Sequence, residues 1–501
     1  MAVPVQEENL KAIFGLKLRQ YRENLELSTQ DLASKSGLSA SYINEIEKGK
    51  KYPKADKIMS LATALDVDYD ELVSLKLGKQ LGQLSKLLKS SALHDIPLEL
   101  FGIKTSDLIG LMGDDPTKFS ALIQTVLDIA RIYDVRVEHF LLAALRSYQE
   151  IHDNYFDRLE NAAQTFLEKH KWSNLPTVPY EKLKTLLEEK HNYRIIESSF
   201  HDQPELQDFR SVFVPGKQPK LFVNKELLSN QKAFVLGREI GYINLELEER
   251  ALTSSWIKVE SFDQVLNNFK ASYFSGAILM NRNALVRKIQ AFFSRDQWNP
   301  TGLIDIMNYF DTTPETFVHR LTQILPHYFG LDQLFFLRFH NCPGSQRYKL
   351  SKELHLSQLH NPHRINPSEH YCRRWVTVSL LQKLAESNLH SADKDPLIDI
   401  QRSQFYGTDN EYLCISMARP LALNSDTNSC ITLGILNNEA LQRNIKFADD
   451  PSINTRVVNE SCERCSISDC QERAANPIIS RQDLKQEKRE TALKKFLERH
   501  S

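Results

Sequence analysis

The chain has 501 residues, of which 41% are hydrophobic, and its 63 Lys and Arg residues are almost balanced by 64 Asp and Glu residues. This is the composition of a globular protein, which excludes a disordered polyelectrolyte, and at about 150 residues per domain the length predicts three or four domains. Apolar runs such as residues 141–145 are far shorter than the roughly 18 residues of a membrane span, and residues 1–8 lack the pattern of a secretory signal. We therefore expect a cytoplasmic protein with no membrane partner.

Helical periodicity dominates the first 75 residues. Apolar residues spaced i, i+3 and i+4 over residues 10–21 indicate a first amphipathic helix. Ser28 and Ser39 are each placed to cap a following helix, and Gly37 supplies the turn between these two helices. Two more apolar runs complete the pattern, so we predict a five-helix bundle over residues 9–75.

The third of these helices presents a polar outer face. Its inward positions are apolar, whereas Ser41, Asn44 and Glu45 point outward. Residues 9–57 carry ten Lys and Arg against six Asp and Glu, a net charge of +4. An excess of this size is usual for a solvated face and is also what a polyanion partner requires, so the charge alone leaves both possibilities open.

This stretch closely resembles the Cro/repressor-type (XRE) helix-turn-helix domain. The resemblance rests on the run from Thr29 to Ala33, on Gly37-Leu38-Ser39, on the run from Tyr42 to Lys50 and on Pro53. It implies a homodimer that binds double-stranded operator DNA, with the second helix on the backbone and the third in the major groove. The alternative is a helical module for protein–protein contacts that has lost DNA binding. The DNA-contacting residues that the resemblance implies are Gln30, Ser39, Ser41, Tyr42, Asn44, Glu45, Lys48, Lys50 and Lys51.

Residues 77–172 also show helical periodicity, with breaks at Pro97, Gly113 and Pro116. We interpret this region as a packed connector or a dimerisation element. The interpretation predicts no chemistry here.

A change to period-two alternation marks the beginning of the next region, residues 177–300. A strand hairpin with a turn at Pro215-Gly216 leads into a helix over residues 230–245, and a second helix contains residues 269–280. This order of elements resembles the ImmA/IrrE family of zincin-like domains. The predicted strands are residues 194–197, 210–214 and 220–223.

The residues that bind zinc in that family are replaced in this chain. The family's first helix carries His-Glu-x-x-His, in which two imidazoles one turn apart bind zinc and the Glu is the general base. The matching positions here are Arg238, Glu239 and Tyr242, and Asn268 aligns with the acidic third ligand. Arginine cannot lose its proton to bind a metal, so we predict a pseudoenzyme domain, a scaffold or a binding cleft, in which Arg238 keeps Glu239 ionised. The alternative, a zinc peptidase that cleaves a repressor, would need His at positions 238 and 242.

Residues 301–480 are predicted to form an α+β region, so the fold class is multidomain, mainly α with α+β. Two of its strands are apolar enough to be buried, which makes Cys414 and Cys430 core residues. The strands of this region are predicted at residues 334–339, 348–350, 412–418 and 430–436, after a helix near residues 317–325.

Residues 481–501 are predicted to form an amphipathic helix packed on the body, with nonspecific nucleic-acid contact as the alternative.

Three cysteines, Cys462, Cys465 and Cys470, lie in a polar, turn-like stretch that gives no packing reason for thiols. Two thiolates two residues apart can bind one metal, because the turn between them directs both sulfurs inward. We therefore predict a metal centre, with free surface thiols as the alternative. The candidates for its fourth ligand are, in order of preference, Cys372, His370 and Cys342.

The whole order of elements resembles the short-chain fatty acyl-CoA regulator (ScfR) group of bacterial transcription factors. The match includes Cys372-x-x-Trp375 and the terminal Cys-x2-Cys-x4-Cys-x2-Arg473, although Arg373 departs from the proline usual in the group. It implies a sequence-specific DNA-binding transcriptional regulator that senses a short-chain acyl-CoA and whose four cysteines can hold a [4Fe-4S] cluster. The residues themselves leave zinc open as well. The alternative function is a mobile-element or phage-type repressor controlled by a protein partner or a redox signal.

Overall fold

In the computed structural model, the described residues are 7–74, 137–200, 203–253, 259, 261–356, 368–387, 391–392 and 394–500. The chain divides into two compact units, Met1–Tyr148 with Val259–Phe262, and Gln149–Lys258 with Asp263–Ser501. The connector helices predicted between residues 77 and 136 lie outside the described residues. No helix of the described part is long and apolar enough to cross a membrane.

The first unit contains the predicted five-helix bundle, whose helix ends follow local signals in the sequence. Ser28 and Asp31 form a reciprocal capping box at the second helix, which ends at Gly37 in the left-handed conformation (φ 70°). The Ser39 hydroxyl accepts a hydrogen bond from the backbone N–H of Tyr42, so it caps the third helix as predicted. The helices are α1 (Glu7–Asn24), α2 (Thr29–Ser36), α3 (Ala40–Glu47), α4 (Ala55–Leu65) and α5 (Tyr69–Val73).

Helix α1 lies directly against α3. A Cβ atom on Gly15 would lie 2.2 Å from the carbonyl oxygen of Ile46, so the two backbones approach this closely only because residue 15 has no side chain. Arg22 also joins the helices, since it donates two hydrogen bonds to the buried carboxylate of Glu47 (2.6 and 3.0 Å). These contacts fix the orientation of α3. The apolar core is formed by Phe14, Leu18, Leu32, Ile43, Ile46, Ile58, Leu61, Ala62, Leu65 and Leu72.

The next part of the chain packs helices against a small sheet. Helix α6 (Val137–Ile151) lies mostly in the first unit, and the elements that follow it are α7 (Asp157–Lys169), α8 (Tyr180–His191), β1 (Arg194–Ser198), β2 (Ser211–Val214), β3 (Lys220–Asn224), α9 (Ser229–Asn244) and α10 (Phe262–Leu279). β1 runs parallel to β3, and β2 pairs with β3 in antiparallel fashion, which confirms the predicted hairpin. We expected α7 in the connector, but Phe166 and Leu167 pack in the same core as Leu183 and Leu236, so α7 belongs structurally with residues 177–300.

A buried ion pair links α7 to the helices that follow. These helices are α11 (Arg282–Phe293), α12 (Pro300–Tyr309) and α13 (Pro314–Phe329). Arg320 on α13 donates two hydrogen bonds to Glu160 on α7 (2.5 and 2.9 Å), and Tyr273 on α10 donates a third to the same carboxylate (2.7 Å). Arg320 and Glu160 are only 1% and 2% exposed. Because a buried charge needs its partner, this contact holds three helices together across the boundary expected at residue 300.

The C-terminal part is built on a six-stranded sheet. Its elements are β4 (Leu334–Asn341), β5 (Lys349–His355), α14 (Val376–Glu386), β6 (Leu397–Phe405), β7 (Glu411–Pro420), β8 (Asn428–Leu436), α15 (Glu439–Asn444) and β9 (Thr455–Val458). The strand order is β5-β4-β8-β7-β6-β9. One face packs on α11, α12 and α13 through side chains such as Phe336, and the other packs on α14 through side chains such as Phe339. Cys414 and Cys430 are buried on the second face, which confirms them as core residues.

The last helix, α16 (Ile478–His500), departs from its prediction. We expected its apolar side to pack on the body, but none of its residues is buried, and Leu493, Phe496 and Leu497 are 58%, 57% and 57% exposed. The physical reason is its composition, because residues 481–490 contain one apolar side chain among nine polar ones and offer no face for packing.

Candidate functional site

The predicted DNA-contacting surface lies on the bundle of the first unit. Ile43 and Ile46 occupy the inward side of α3, so the polar residues between them face solvent. Tyr42 and Glu45 are half-buried. The exposed members of the predicted set are Gln30, Ser39, Ser41, Asn44, Lys48, Lys50 and Lys51.

The two half-buried members each contact a lysine. The Lys57 Nζ atom lies 4.5 Å from the centre of the Tyr42 ring, and the Lys51 Nζ atom lies 5.7 Å from it. Lys51 also pairs with Glu45 (Nζ–Oε2 2.8 Å), and this hydrogen bond raises the pKa of Lys51. The pair is open to solvent and is therefore weak. Sequence reasoning missed Lys57, because it lies on α4 and only the fold brings it to Tyr42.

The residues at the zinc-site positions of the zincin-like fold are brought together by α9 and α10. The Nη2 atom of Arg238 donates a hydrogen bond to Oδ1 of Asn268 (2.6 Å), and the Tyr242 hydroxyl donates to the same oxygen (3.4 Å). Arg238 and Tyr242 lie one turn apart on α9, and Asn268 faces them from α10. A guanidinium, an amide and a phenol thus stand at the positions that the sequence analysis aligned with two imidazoles and a carboxylate, and none of the three is a usual zinc ligand.

Glu239 has a different partner from the one we expected. Its Oε1 atom accepts a hydrogen bond from Nη2 of Arg250 (2.8 Å), and the Tyr193 hydroxyl donates to Oε2 (3.3 Å). Arg238 does not fill this role, because consecutive helical residues point about 100° apart and it faces Asn268 instead. Burial, followed by the charge of Glu239, raises the pKa of Tyr193 to about 12. Sequence reasoning missed Arg250 and Tyr193, since both lie outside α9.

Two chain segments bring three of the four predicted cysteines together. The backbone N–H of Cys372 donates to the carbonyl of Glu460 (3.2 Å), and that of Cys462 donates to the carbonyl of His370 (2.8 Å). Cys372, Cys462 and Cys465 are all buried. Burial raises the pKa of Cys372 to about 11, and the thiols of Cys462 and Cys465 add to this shift, which reflects their proximity.

Arg473 organises the turn that carries the other cysteines. Its guanidinium donates to the carbonyls of Cys462 (2.8 Å) and Cys465 (3.1 Å), and its own N–H donates to the carbonyl of Cys470 (3.4 Å). The Ala474 N–H points at the Cys462 sulfur (3.3 Å), the kind of contact that stabilises a thiolate. Cys470 itself is half-buried.

The alternatives for the fourth ligand are engaged elsewhere. The Nδ1 atom of His370 lies 2.8 Å from Oε1 of Glu463, while Cys342 is exposed and its sulfur is 3.8 Å from the hydroxyl of Thr427. Across the described residues, no three His, Cys, Asp or Glu side chains are arranged to hold a metal ion. The donor chemistry of the buried thiols fits a thiophilic metal, but their spacing does not form a complete ligand set.

Comparisons with known proteins identify two domains. Residues 18–72 match the family described as "Helix-turn-helix", and residues 188–322 match the "IrrE N-terminal-like domain". The HTH-type transcriptional repressor RghR of Bacillus subtilis is 44% identical over 61 residues, and the uncharacterized HTH-type transcriptional regulator RghRB of the same organism is 40% identical over 62 residues. Each match covers 12% of this chain and 45% of the relative, so the chain spans less than half the length of these curated relatives.

A solved structure described as a Mycobacterium tuberculosis transcriptional regulator is similar over 66% of this chain and 92% of its own, with 17% identity and a TM-score of 0.45.

The two family matches coincide with the capped bundle of the first unit and with the sheet and helices that carry Arg238, Glu239 and Asn268. The chain therefore carries an XRE-type helix-turn-helix domain followed by an IrrE-like domain, as both resemblances predicted.

Proposed function

We propose that the chain is a sequence-specific DNA-binding transcriptional regulator. The observation that carries this proposal is the exposed polar face of α3, bordered by Lys48, Lys50 and Lys51, on a helix-turn-helix bundle. In this function Ser41 and Asn44 contact base edges in the major groove, whereas the lysines contact phosphates and make the affinity dependent on salt.

The regulator acts as a homodimer in this proposal. The exposed stripe of Leu493, Phe496 and Leu497 on α16 supports it, because two copies can bury these side chains against each other. A dimer presents two α3 helices to two half-sites of one operator.

The IrrE-like domain serves as a scaffold rather than a peptidase. Hydrolysis by a zincin needs a metal-bound water and a free carboxylate as general base. Here Arg238 and Asn268 bind each other at the metal-ligand positions, and Arg250 pairs with the carboxylate of Glu239. The metal-ligand positions and the general-base carboxylate are therefore both occupied by internal contacts.

The C-terminal part receives the signal, which the ScfR resemblance suggests is a short-chain acyl-CoA. Cys372, Cys462, Cys465 and Cys470 would hold a [4Fe-4S] cluster or a zinc ion once their sulfurs move to ligand spacing, and the bound group would cross-link the two segments and, as a cluster, supply redox sensitivity. The buried thiols and the Ala474 N–H directed at sulfur support this assignment. An effector controls transcription only if it binds with different affinity to the states of high and low DNA affinity.

The test is fluorescence anisotropy of the full chain, purified without oxygen, with DNA from its own upstream region and with a scrambled duplex. Asn44→Ala should lose about 1–3 kcal/mol of preference for the operator while its salt-dependent nonspecific binding persists. Arg443→Gln, which changes an exposed arginine of the second unit, is the matched control and should change neither. Equal affinity of the unmodified chain for both duplexes would contradict the proposal.

The effector is tested by repeating the titration with short-chain acyl-CoAs and free CoA. A shift in operator affinity with one acyl-CoA supports a metabolite-responsive regulator. Tight operator binding that none of them changes would instead favour the repressor controlled by a protein partner or a redox signal.

A further inference from the structure

Basic residues gather on the six-stranded sheet, on the face that packs against α13. Arg338 on β4 stands opposite Lys352 on β5, and His340 on β4 and Arg419 on β7 stand on either side of Ser429 on β8. Side chains alternate along a strand, so these positions share the face of Phe336 and Ile431, which pack on the helices. We call this group, together with Arg210 and Glu315, the basic basin.

Glu315, in the first turn of α13, is the carboxylate that these cations face. Its Oε1 atom lies 2.8 Å from Nη1 of Arg338 and 3.5 Å from Nζ of Lys352, and its Oε2 atom lies 3.3 Å from Nη2 of Arg210. Burial by itself raises the pKa of Glu315, but Arg338, Lys352 and Arg210 hold it well below the usual range. Glu315 is therefore ionised and shared among three cations.

Among the described residues, Arg419 has no carboxylate as an ion-pair partner. In the described part of the chain no carboxylate lies within 4 Å of it, and its Nη1 atom donates to the carbonyl of Ala392 (2.9 Å). Burial lowers the pKa of Arg419 to about 10, and the more distant charge of Glu315 opposes this shift only in part. The buried Nε2 atoms of His319 and His340, beside the same carboxylate, have no hydrogen-bond partner among the described residues.

The basic basin thus has an excess of positive charge that solvent can reach. Burial lowers the pKa of His340 to about 4 and that of His319 well below its usual value, so both rings are neutral near pH 7. Among the described residues, the cations Arg338, Lys352 and Arg419 against the carboxylate of Glu315 leave a net charge of +2. The side chains of Lys352 and Arg210 are 43% and 37% exposed, which leaves the basin open on one side.

We propose that the basic basin binds a small oxyanion with two or more negative charges, of the phosphate or carboxylate kind. Partly buried cations in excess of their counterions cost free energy, which a bound anion recovers. Guanidinium groups donate paired hydrogen bonds to such anions, and the N-terminus of α13 adds a favourable dipole. The proposal does not depend on DNA binding, because all of these residues lie in the second unit.

Isothermal titration calorimetry of the full chain without DNA tests the proposal. Inorganic phosphate and succinate are titrated separately at constant ionic strength, with chloride as the monovalent reference. We expect saturable binding of one anion per chain, and the tighter of the two identifies the kind of oxyanion. Absence of saturable binding for both would overturn the proposal, whatever the result with operator DNA.

Three variants identify the basic basin as the site. Arg419→Gln should weaken binding at least about tenfold, and Lys352→Gln, at an exposed position, gives a second test if the first variant does not fold. Arg443→Gln should leave the affinity unchanged. Glu315→Gln removes the competing carboxylate, so it should tighten anion binding, and anion should raise its thermal midpoint more than that of the unmodified chain. Unchanged affinity in both Arg419→Gln and Lys352→Gln, or weaker anion binding in Glu315→Gln, would show a purely structural ion network.

Discussion

Arg238 donates a 2.6 Å hydrogen bond to Asn268 across the two helices that, in an ImmA/IrrE zincin, meet at the zinc ion. The guanidinium is a permanent positive charge, and its contact with Asn268 supplies the link between α9 and α10 that a metal ion would otherwise make. Glu239, next to Arg238 in sequence, pairs with Arg250 instead.

Removal of the Glu239 carboxylate should destabilise the second unit without changing its metal content. Glu239→Ala leaves the nearly buried Arg250 without its partner, at a cost of about 3 kcal/mol in the free energy of unfolding by urea. Glu226→Ala, at an exposed position, is the control. Stoichiometric zinc in the unmodified chain, together with a peptidase activity that Glu239→Ala abolishes, would support the zinc peptidase instead.

Replacing a helical glycine by alanine should have opposite effects on stability at Gly15, where α1 contacts α3, and at Gly276, which has open space around it. Gly15→Ala places a methyl group against the Ile46 carbonyl and should destabilise the first unit by about 1–3 kcal/mol. Gly276→Ala, in α10, meets nothing within 4 Å and should stabilise its helix by about 0.5–1 kcal/mol. Differential scanning calorimetry distinguishes the two transitions, and equal shifts for both variants would contradict the close approach.

His340 predicts that the second unit loses stability as the pH falls. Its pKa is about 4 in the folded chain against an ordinary 6.5, because burial and Arg338 oppose its protonation. Between pH 6.5 and pH 4 the unfolded chain therefore binds a proton that the folded chain does not, and the free energy of unfolding declines. His340→Gln should reduce this decline in urea titrations at pH 7 and pH 5, whereas His500→Gln, on the exposed α16, should not.

Loss of one buried thiol should abolish metal binding at the cysteine site. Iron, acid-labile sulfide and zinc are measured after purification without oxygen. Cys465→Ser should lose the metal found in the unmodified chain, because three thiolates form an incomplete ligand set. Cys342→Ser, at an exposed position away from the set, should retain it. Full metal content in Cys465→Ser would remove this cysteine from the ligands.

The apolar stripe of α16 should support the homodimer. Phe496→Glu introduces a charge into this stripe and should raise the dissociation constant of the dimer at least about tenfold in analytical ultracentrifugation. Thr491→Glu adds the same charge on the opposite side of the helix and is the matched control. A dimer equally stable in both variants would place the interface elsewhere.

Local signals explain how much of the first unit could be predicted from sequence. Ser28, Gly37 and Ser39 act on the residues beside them, so the spacing along the chain was sufficient to place α2 and α3. The Cys-x2-Cys turn is local in the same sense. Cys372, which we preferred as the fourth ligand and which is part of the family resemblance, lies beside the segment of Cys462.

Contacts between distant segments explain what the sequence could not predict. Arg250 reaches Glu239 from a loop, and Lys57 reaches Tyr42 from another helix, so neither pair has a characteristic spacing. Strand β6 (Leu397–Phe405) was not predicted, because polar residues such as Asp399 interrupt it and only its neighbours in the sheet define it as a strand. The basic basin likewise exists only once strands and α13 are assembled.

The buried pair of Glu160 and Arg320 makes two regions of the sequence depend on each other for stability. A gene fusion or a truncation that divided the chain at residue 300 would leave Glu160 enclosed in apolar surroundings without its cation. A stable fragment of this part of the chain must therefore keep α7 together with α13, which also carries Glu315 of the basic basin. The match to the IrrE-like family covers residues 188–322, so a fragment cut at these limits keeps Arg320 but loses its partner Glu160.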